Sequence, residues 1–367
     1  MSQSRTFFEV LFELMCESIG NDHPDNYCEI RFGPEPVRNL PPAAGSQGHR
    51  PVLAEALKEL GKAINPVVPL LPRLEKLYSS LNDAESKALL VRLMAFRSMG
   101  HRKVKLPLNA PAHWLCLKEY ESLFSIGDQI DIGIHGWKLR RADLRPVGVP
   151  VALYTLPEAA YIIFKLEQYG CPCQPSPIAA EPGAVVIDGG GCWGDTALYF
   201  ANRVGRAGRV FTFEFLPGNL RILRQNLELN PELAPAVEIV PRALWDSSDA
   251  ELCVRPSGPG TRVSASESAP GAERALSLTI DDLAASRNLD KVDFIKLDIE
   301  GAELAALRGA ARVLRTFKPK LAIAVYHNLT DFFDIPDYLE SLGLGYRFYL
   351  RHFTYYAEET VLFARAP

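Results

Sequence analysis

From residue 183 onward, short apolar runs rich in β-branched residues alternate with helix-like stretches, and this alternation constrains the fold more than any other feature. Strands are expected at 184–188, 209–213, 237–241, 293–298 and 321–326, with helices near 194–203, 217–229, 302–314 and 335–342. A chain that repeats strand, helix, strand in this way builds a parallel, doubly wound sheet of the α/β class. The last two strands, 346–351 and 360–364, leave no room for a crossover helix. They must pair antiparallel, as a hairpin at one edge.

The region before this alternation reads differently. Residues 5–20 have the spacing of an amphipathic helix, with Phe8, Leu11, Phe12 and Met15 on one face. Residues 33–51 are rich in Pro and Gly and read as a linker. Helical patterns follow at 52–64, 72–80 and 83–99, then short strands at 130–136 and 149–154 and a helix at 157–169. A chain of 367 residues is long for one domain, and a hydrophobic fraction of 47% suffices for two cores. The expected division is a mostly helical N-terminal domain over 1–145 and an α/β ligand-binding domain over 146–367. The helices would cover the substrate side or form a homodimer surface.

A net charge of −4 gives no electrostatic footprint for nucleic acid. The basic residues Arg102, Lys103 and Lys105, with Arg140, Arg141 and Arg145, read as a solvated or acid-paired face. No apolar run approaches the roughly 18 residues of a membrane span. Glu9 and Glu13 interrupt the apolar N-terminus, against a signal peptide. Seven cysteines at irregular spacing do not form a disulfide framework, which fits a cytoplasmic location. Cys171-Pro-Cys173 lacks the second Cys/His pair of a zinc site.

The chemistry concentrates where the strands end. Val185-Val-Ile-Asp-Gly-Gly-Gly-Cys-Trp-Gly-Asp-Thr196 is a buried strand, a tight turn and a helix start. In open α/β sheets ligands bind at such turns. Gly189, Gly191 and Gly194 satisfy the dinucleotide pattern GxGxxG, in which a pyrophosphate sits on the helix N-terminus. Asp188, Gly190 and Gly194 equally satisfy Asp-x-Gly-x-x-x-Gly, the methyltransferase pattern. There the strand-end carboxylate suits the cationic S-adenosylmethionine. Glu214 ends the second strand and is placed to accept ribose hydroxyls. Asn219 follows one turn into the next helix, and Ala243, Leu244 and Trp245 offer apolar surface to a base. Asp298 ends the fourth strand, with Glu300, Gly301 and Glu303 after it, and His327 follows the fifth. Residues 255–274, rich in Ser, Pro and Gly, read as a mobile loop, either a lid or a solvated excursion.

Together these segments resemble the FkbM-type methyltransferases. The resemblance runs in order through 186–198, 211–215, 293–303, 325–327 and the closing 349–364, covering about residues 180–365. Residues 81–109 are similar to the leading region of longer members. The sequence departs from the family pattern at Gly191-Cys192, where Ala-Asn is usual, and at Phe215, where Pro is usual. Neither change removes an acid. The resemblance implies a class I, Rossmann-like S-adenosylmethionine-dependent O-methyltransferase acting on a hydroxyl of a sugar, glycan or natural product, with S-adenosylhomocysteine as product. The implied cofactor residues are Asp188, Gly189, Gly190, Gly191, Gly194, Asp195, Thr196, Glu214, Phe215, Asn219, Ala243, Leu244 and Asp298. The catalytic candidates are His327, Asp298 and Glu300. His327 is preferred as the base, since imidazole titrates near neutrality. The rival is a divalent metal held by Asp298, Glu300 and the His327/Asn328 corner. An NAD(P)-dependent oxidoreductase and a non-catalytic scaffold remain the alternative functions.

Overall fold

The computed structural model describes residues 5–24, 26, 53–134, 136–265 and 273–367. The linker expected at 33–51 lies outside them. The chain divides into two compact units. One comprises Met1–His113 with His352–Glu359; the other comprises Trp114–Arg351 with Thr360–Pro367.

The first unit is helical. Helix α1 (Phe7–Ser18) opens on a capping box, in which the Thr6 hydroxyl accepts from the Glu9 N–H and the Glu9 carboxylate accepts from the Thr6 N–H. Its inward face is Phe7, Leu11 and Met15. The expected face was turned by one residue: Phe8 and Phe12 point outward and stack on each other. Spacing alone could not decide, because both sets sit four residues apart. Helices α2 (Leu53–Ile64), α3 (Leu71–Ser80) and α4 (Ala84–Met99) follow, and Asp83 caps α4 by accepting from the Ser86 N–H.

The second unit begins within helix α5 (Pro111–Glu121), and its described residues form three sheets. Strands β1 (Phe124–Asp131), β2 (Lys138–Asp143) and β3 (Ala152–Thr155) form an antiparallel sheet. The division therefore falls well before residue 145, where the sequence suggested it. The cause is strand pairing, which binds β1 and β2 to β3, and side-chain bonding, which anchors β3. Asn226 and Asn230 each pair with the β3 backbone, through Tyr154 and Ala152 respectively, and so tie that strand to the α/β part. Helix α6 (Pro157–Ala160) then runs on as a π-helical turn, Tyr161–Lys165.

The main sheet has seven strands in the order β13, β14, β12, β11, β4, β5, β6. Strands β4 (Val185–Gly189), β5 (Arg209–Phe213), β6 (Val237–Val240), β11 (Phe294–Leu297) and β12 (Lys320–Ala324) are parallel. Strand β14 (Thr360–Arg365) runs antiparallel to β12, and β13 (Arg347–His352) flanks it at the edge. Strands β4, β5, β11 and β12 are largely apolar and buried, as parallel strands covered on both faces must be, while β6 at the edge is half-exposed. Helices α7 (Asp195–Val204), α8 (Pro217–Glu228), α9 (Ile280–Ser286), α10 (Glu303–Arg308), α11 (Ala311–Phe317) and α12 (Asp331–Ser341) connect or follow them.

A small third sheet was not anticipated. It joins β7 (Ala243–Leu244), β10 (Arg274–Leu278), β8 (Glu251–Arg255) and β9 (Arg262–Ser264). The stretch expected as a mobile loop over 255–274 thus contains a strand, β9, paired with β8 through Val254 and Val263, and a 3-10 turn at Gly258–Gly260. No described helix is long and apolar enough to cross a membrane.

Candidate active site

The register of the main sheet creates the centre of the site. Lys296 of β11, Asp188 of β4 and Thr212 of β5 are lateral partners across three adjacent strands. Their side chains therefore share one face. The Thr212 hydroxyl donates to Asp188 Oδ2 at 2.8 Å, and the Thr196 hydroxyl donates to the same oxygen at 2.9 Å. Lys296 Nζ lies 3.2 Å from Asp188 Oδ1, with both side chains out of solvent. The ammonium also donates to the Gly189 and Gly190 carbonyls, each at 2.8 Å. The glycine turn is thus held from beneath by a buried cation.

This arrangement changes the expected part of Asp188. Its charge is already balanced by Lys296, so it is a support for the turn rather than a free carboxylate facing a ligand. The glycines are needed for space. A Cβ on Gly190, where φ is 87°, would stand 2.0 Å from the Asp298 carbonyl oxygen. One on Gly191 would stand 2.0 Å from the Thr212 hydroxyl. Gly194 leads into α7 in the left-handed region, and a Cβ on it would stand 3.0 Å from Leu223 Cγ. Asp195 turns inward: it accepts from the Thr196 N–H and the Thr155 hydroxyl, and burial holds its carboxyl above the usual range.

Above this floor lies a cleft of about 60 Å³, open to solvent. Gly190, Phe213, Glu214, Phe215, Ala243 and Leu244 line one part of it, and Asp298, Ile299, Glu300 and Ala302 another. Pro259, Thr261 and Val263, from the stretch expected to be a loop, close it further. Of the expected cofactor residues, Gly190, Glu214, Phe215, Ala243, Leu244 and Asp298 reach the cleft wall. Asp188, Asp195 and Thr196 lie buried in the network described above. Glu214 is locked in place: Oε1 accepts from the Phe215 and Leu216 N–H groups, and Oε2 accepts from Asn219 at 2.9 Å. Burial raises its carboxyl above the usual range, and those three donors work against the shift. Asn219 thus acts on Glu214.

The fourth and fifth strand ends converge as expected. The His327 side chain is 3% exposed, and its two ring nitrogens face three carboxylates. Nδ1 is 2.9 Å from Glu303 Oε1; Nε2 is 3.3 Å from Glu300 Oε1 and 3.4 Å from Asp298 Oδ1. Burial alone would drive the proton off. Hydrogen bonding with Glu300 and Glu303 and the charges of Glu303 and Asp298 outweigh burial and push the pKa up to about 11. While the ring holds that proton it cannot accept another, and only in its neutral form has it a lone pair for a base or a ligand role. The sequence had no means of showing that Glu303, read as a helix-start acid, would turn back on the histidine.

Two tyrosines complete the corner. Tyr169 donates to Asp298 Oδ2 at 2.8 Å, and Tyr326 donates to Asp298 Oδ1 at 3.1 Å. Tyr169 also faces Lys296, whose ammonium lies 5.2 Å from the ring centre. Neither tyrosine was singled out in the sequence. Lys296 had a signal, a lysine within an apolar strand, since lysine is almost never fully buried unless paired.

A mixed α/β sheet with an acid-rimmed cleft at its carboxyl edge defines the class, and it is the fold of known methyltransferases. The crystal structure of methyltransferase FkbM from Methylobacillus flagellatus aligns over 83% of this chain with 19% identity and a TM-score of 0.51. The match takes in 61% of that protein, so this chain spans about three fifths of its length. More narrowly, residues 178–348 match the family model of the methyltransferase FkbM domain. Two weaker likenesses are Aeropyrum pernix fibrillarin, solved with natively bound S-adenosyl-L-methionine (13% identity, 62% of this chain and 90% of that one, TM-score 0.37), and a putative O-methyltransferase from Klebsiella pneumoniae (11% identity, 71% and 92%, TM-score 0.34). No curated protein matches the chain.

Proposed function

We propose that this domain transfers a methyl group from S-adenosylmethionine to a hydroxyl oxygen of a sugar, glycan or natural product. The observation that carries the reading is Glu214, a carboxylate fixed by three donors at the cleft wall. A carboxylate so held is suited to the two hydroxyls of a ribose. Phe215, Ala243, Leu244 and Ile299 offer the apolar walls that an adenine needs. The strand order, with parallel strands followed by a reversed β14 at one side, supports a class I, Rossmann-like assignment.

Bound S-adenosylmethionine would supply an already activated methyl, the C–S electron pair staying on sulfur and the acceptor's hydroxyl proton leaving to water. The protein's part is position and exclusion of water. Gly190 and the Lys296-braced turn hold the backbone close, and Asp298, fixed by Tyr169 and Tyr326, presents a rigid charge at the cleft. A dinucleotide is disfavoured at this turn, because its pyrophosphate would meet the buried Asp195 at the start of α7.

Calorimetric titration of the full chain with S-adenosylmethionine, S-adenosylhomocysteine and NAD tests the reading. The first two are expected to bind and NAD is not. Glu214→Ala should weaken both by about tenfold or more, the equivalent of roughly 1.4 kcal/mol. Binding of NAD without S-adenosylmethionine would overturn it. Methyl transfer to a panel of glycosides and polyhydroxylated natural products then reports the acceptor.

A further inference from the structure

We infer that Asp298, Glu300 and His327 bind one divalent cation of the Mn²⁺ kind; its role in activating the acceptor hydroxyl rests on the methyl-transfer reading above. One ligand atom from each residue lies within 4.8 Å of the others. Donors held about 2.1 Å from an octahedral cation lie about 3 Å apart. The Nε2 distances of 3.3 Å and 3.4 Å to Glu300 and Asp298 are close to that spacing.

A second observation is independent of the acids. His327 Nε2 is buried, faces two carboxylate oxygens at 3.3 Å and 3.4 Å, and makes a well-aligned hydrogen bond to neither. Glu303 faces the other nitrogen at 2.9 Å. A carboxylate there favours the Nδ1–H tautomer and leaves the Nε2 lone pair directed at the cluster, as in carboxylate–histidine–metal arrangements. Two carboxylate oxygens and a buried imidazole nitrogen converging on one point favour a positive charge between them. Lys296 does not supply it, because its ammonium is engaged by Asp188 and two carbonyls. Tyr169 and Tyr326 orient Asp298, as outer partners orient a metal-bound carboxylate.

The donor set decides the kind of ion. Two carboxylates favour Mg²⁺, Ca²⁺ or Mn²⁺, and the single imidazole shifts the preference toward Mn²⁺ among these. Asp298 and Glu300 both reach the cleft wall, so an acceptor hydroxyl there can complete the coordination. Coordination lowers the hydroxyl pKa, its proton leaves to water, and the resulting alkoxide is the better nucleophile.

The experiment is metal uptake by the full chain, freed of metal with a chelator and titrated with MnCl₂ while free Mn²⁺ is followed by electron paramagnetic resonance. One equivalent is expected to bind. Glu300→Gln and His327→Gln should each weaken it by about tenfold or more. Circular dichroism and S-adenosylmethionine titration on the same samples show that the variants are folded. No uptake by the wild type at millimolar Mn²⁺, or unchanged uptake by both folded variants, overturns the cation; a proton on Nε2 then fills the place. S-adenosylmethionine binding without Mn²⁺ uptake removes the cation alone, and uptake without S-adenosylmethionine binding removes the methyl-transfer reading alone.

Discussion

At the scale of the residue, the strongest dependence is between Lys296 and Asp188. Both are out of solvent, and the lysine braces the turn that forms the cleft floor. Removing one partner of a buried pair leaves an uncompensated charge, at a cost of roughly 3–5 kcal/mol. Lys296→Met should therefore destabilise the second unit by about that amount in urea denaturation. Adding Asp188→Asn removes the stranded charge and should restore part of the loss. A Lys296→Met protein as stable as the wild type, or a double variant showing the full sum of both losses, would contradict the coupling. Asp188 was legible in the sequence as a strand-end acid, but its partner was not. The pairing depends on which residues stand opposite each other across β4, β5 and β11, and one strand's pattern does not state its register with another. The glycines were legible as a turn. Asp298, Glu300 and His327 were legible as a group because each follows a parallel strand, and such strands all end at one edge. The proton affinity of His327 was not, because it depends on the way Glu303 folds back.

At the scale of the element, glycine positions distinguish clearance from propensity. Gly309 separates α10 from α11, where a single helix was expected over 302–314. A Cβ there would stand 2.2 Å from the Trp245 carbonyl oxygen, a backbone atom with little freedom to move. Gly309→Ala should cost about 1–3 kcal/mol, as overpacking does. Gly61, inside α2, has nothing within 4 Å of the same atom. Gly61→Ala should add roughly 0.5–1 kcal/mol through helix propensity alone. Denaturant midpoints of the two variants should move in opposite directions. Equal shifts would mean that the backbone at Gly309 relaxes freely. The same contrast explains what the sequence showed of the elements. The strongly periodic α/β alternation was readable. The small sheet of β7 to β10 was not, because its strands are two to five residues long and β10 draws its partners β7 and β8 from well before it in sequence. Its Val263 nevertheless closes the cleft.

At the scale of the molecule, the two units should answer acid differently. In the first, loss of solvent round the His352 ring, with Arg97 nearby, pushes its pKa down from 6.5 to about 3, against hydrogen bonding with the Tyr356 and Thr354 backbone. Between those values the unfolded chain binds a proton that the folded chain refuses. The unfolded state then carries the greater proton count, so stability rises with pH across this window. The contribution is complete above pH 6.5 and is lost as pH falls toward 3. His113 shifts the same way, by burial. In the second unit, burial raises Asp195 and Glu214. Their folded forms hold protons more tightly than their unfolded forms, so their contribution favours the folded state in acid and fades as pH rises through the folded values. Calorimetric scans from pH 7 down to about 4 should therefore lower the melting transition of the first unit more than that of the second, with separate transitions where the units melt independently. His352→Gln should flatten the pH dependence of the first transition and leave the second in place. If that variant keeps the wild-type acid sensitivity, the titrating group of the first unit is not His352. If both transitions move together and respond equally to the substitution, the two units unfold as one.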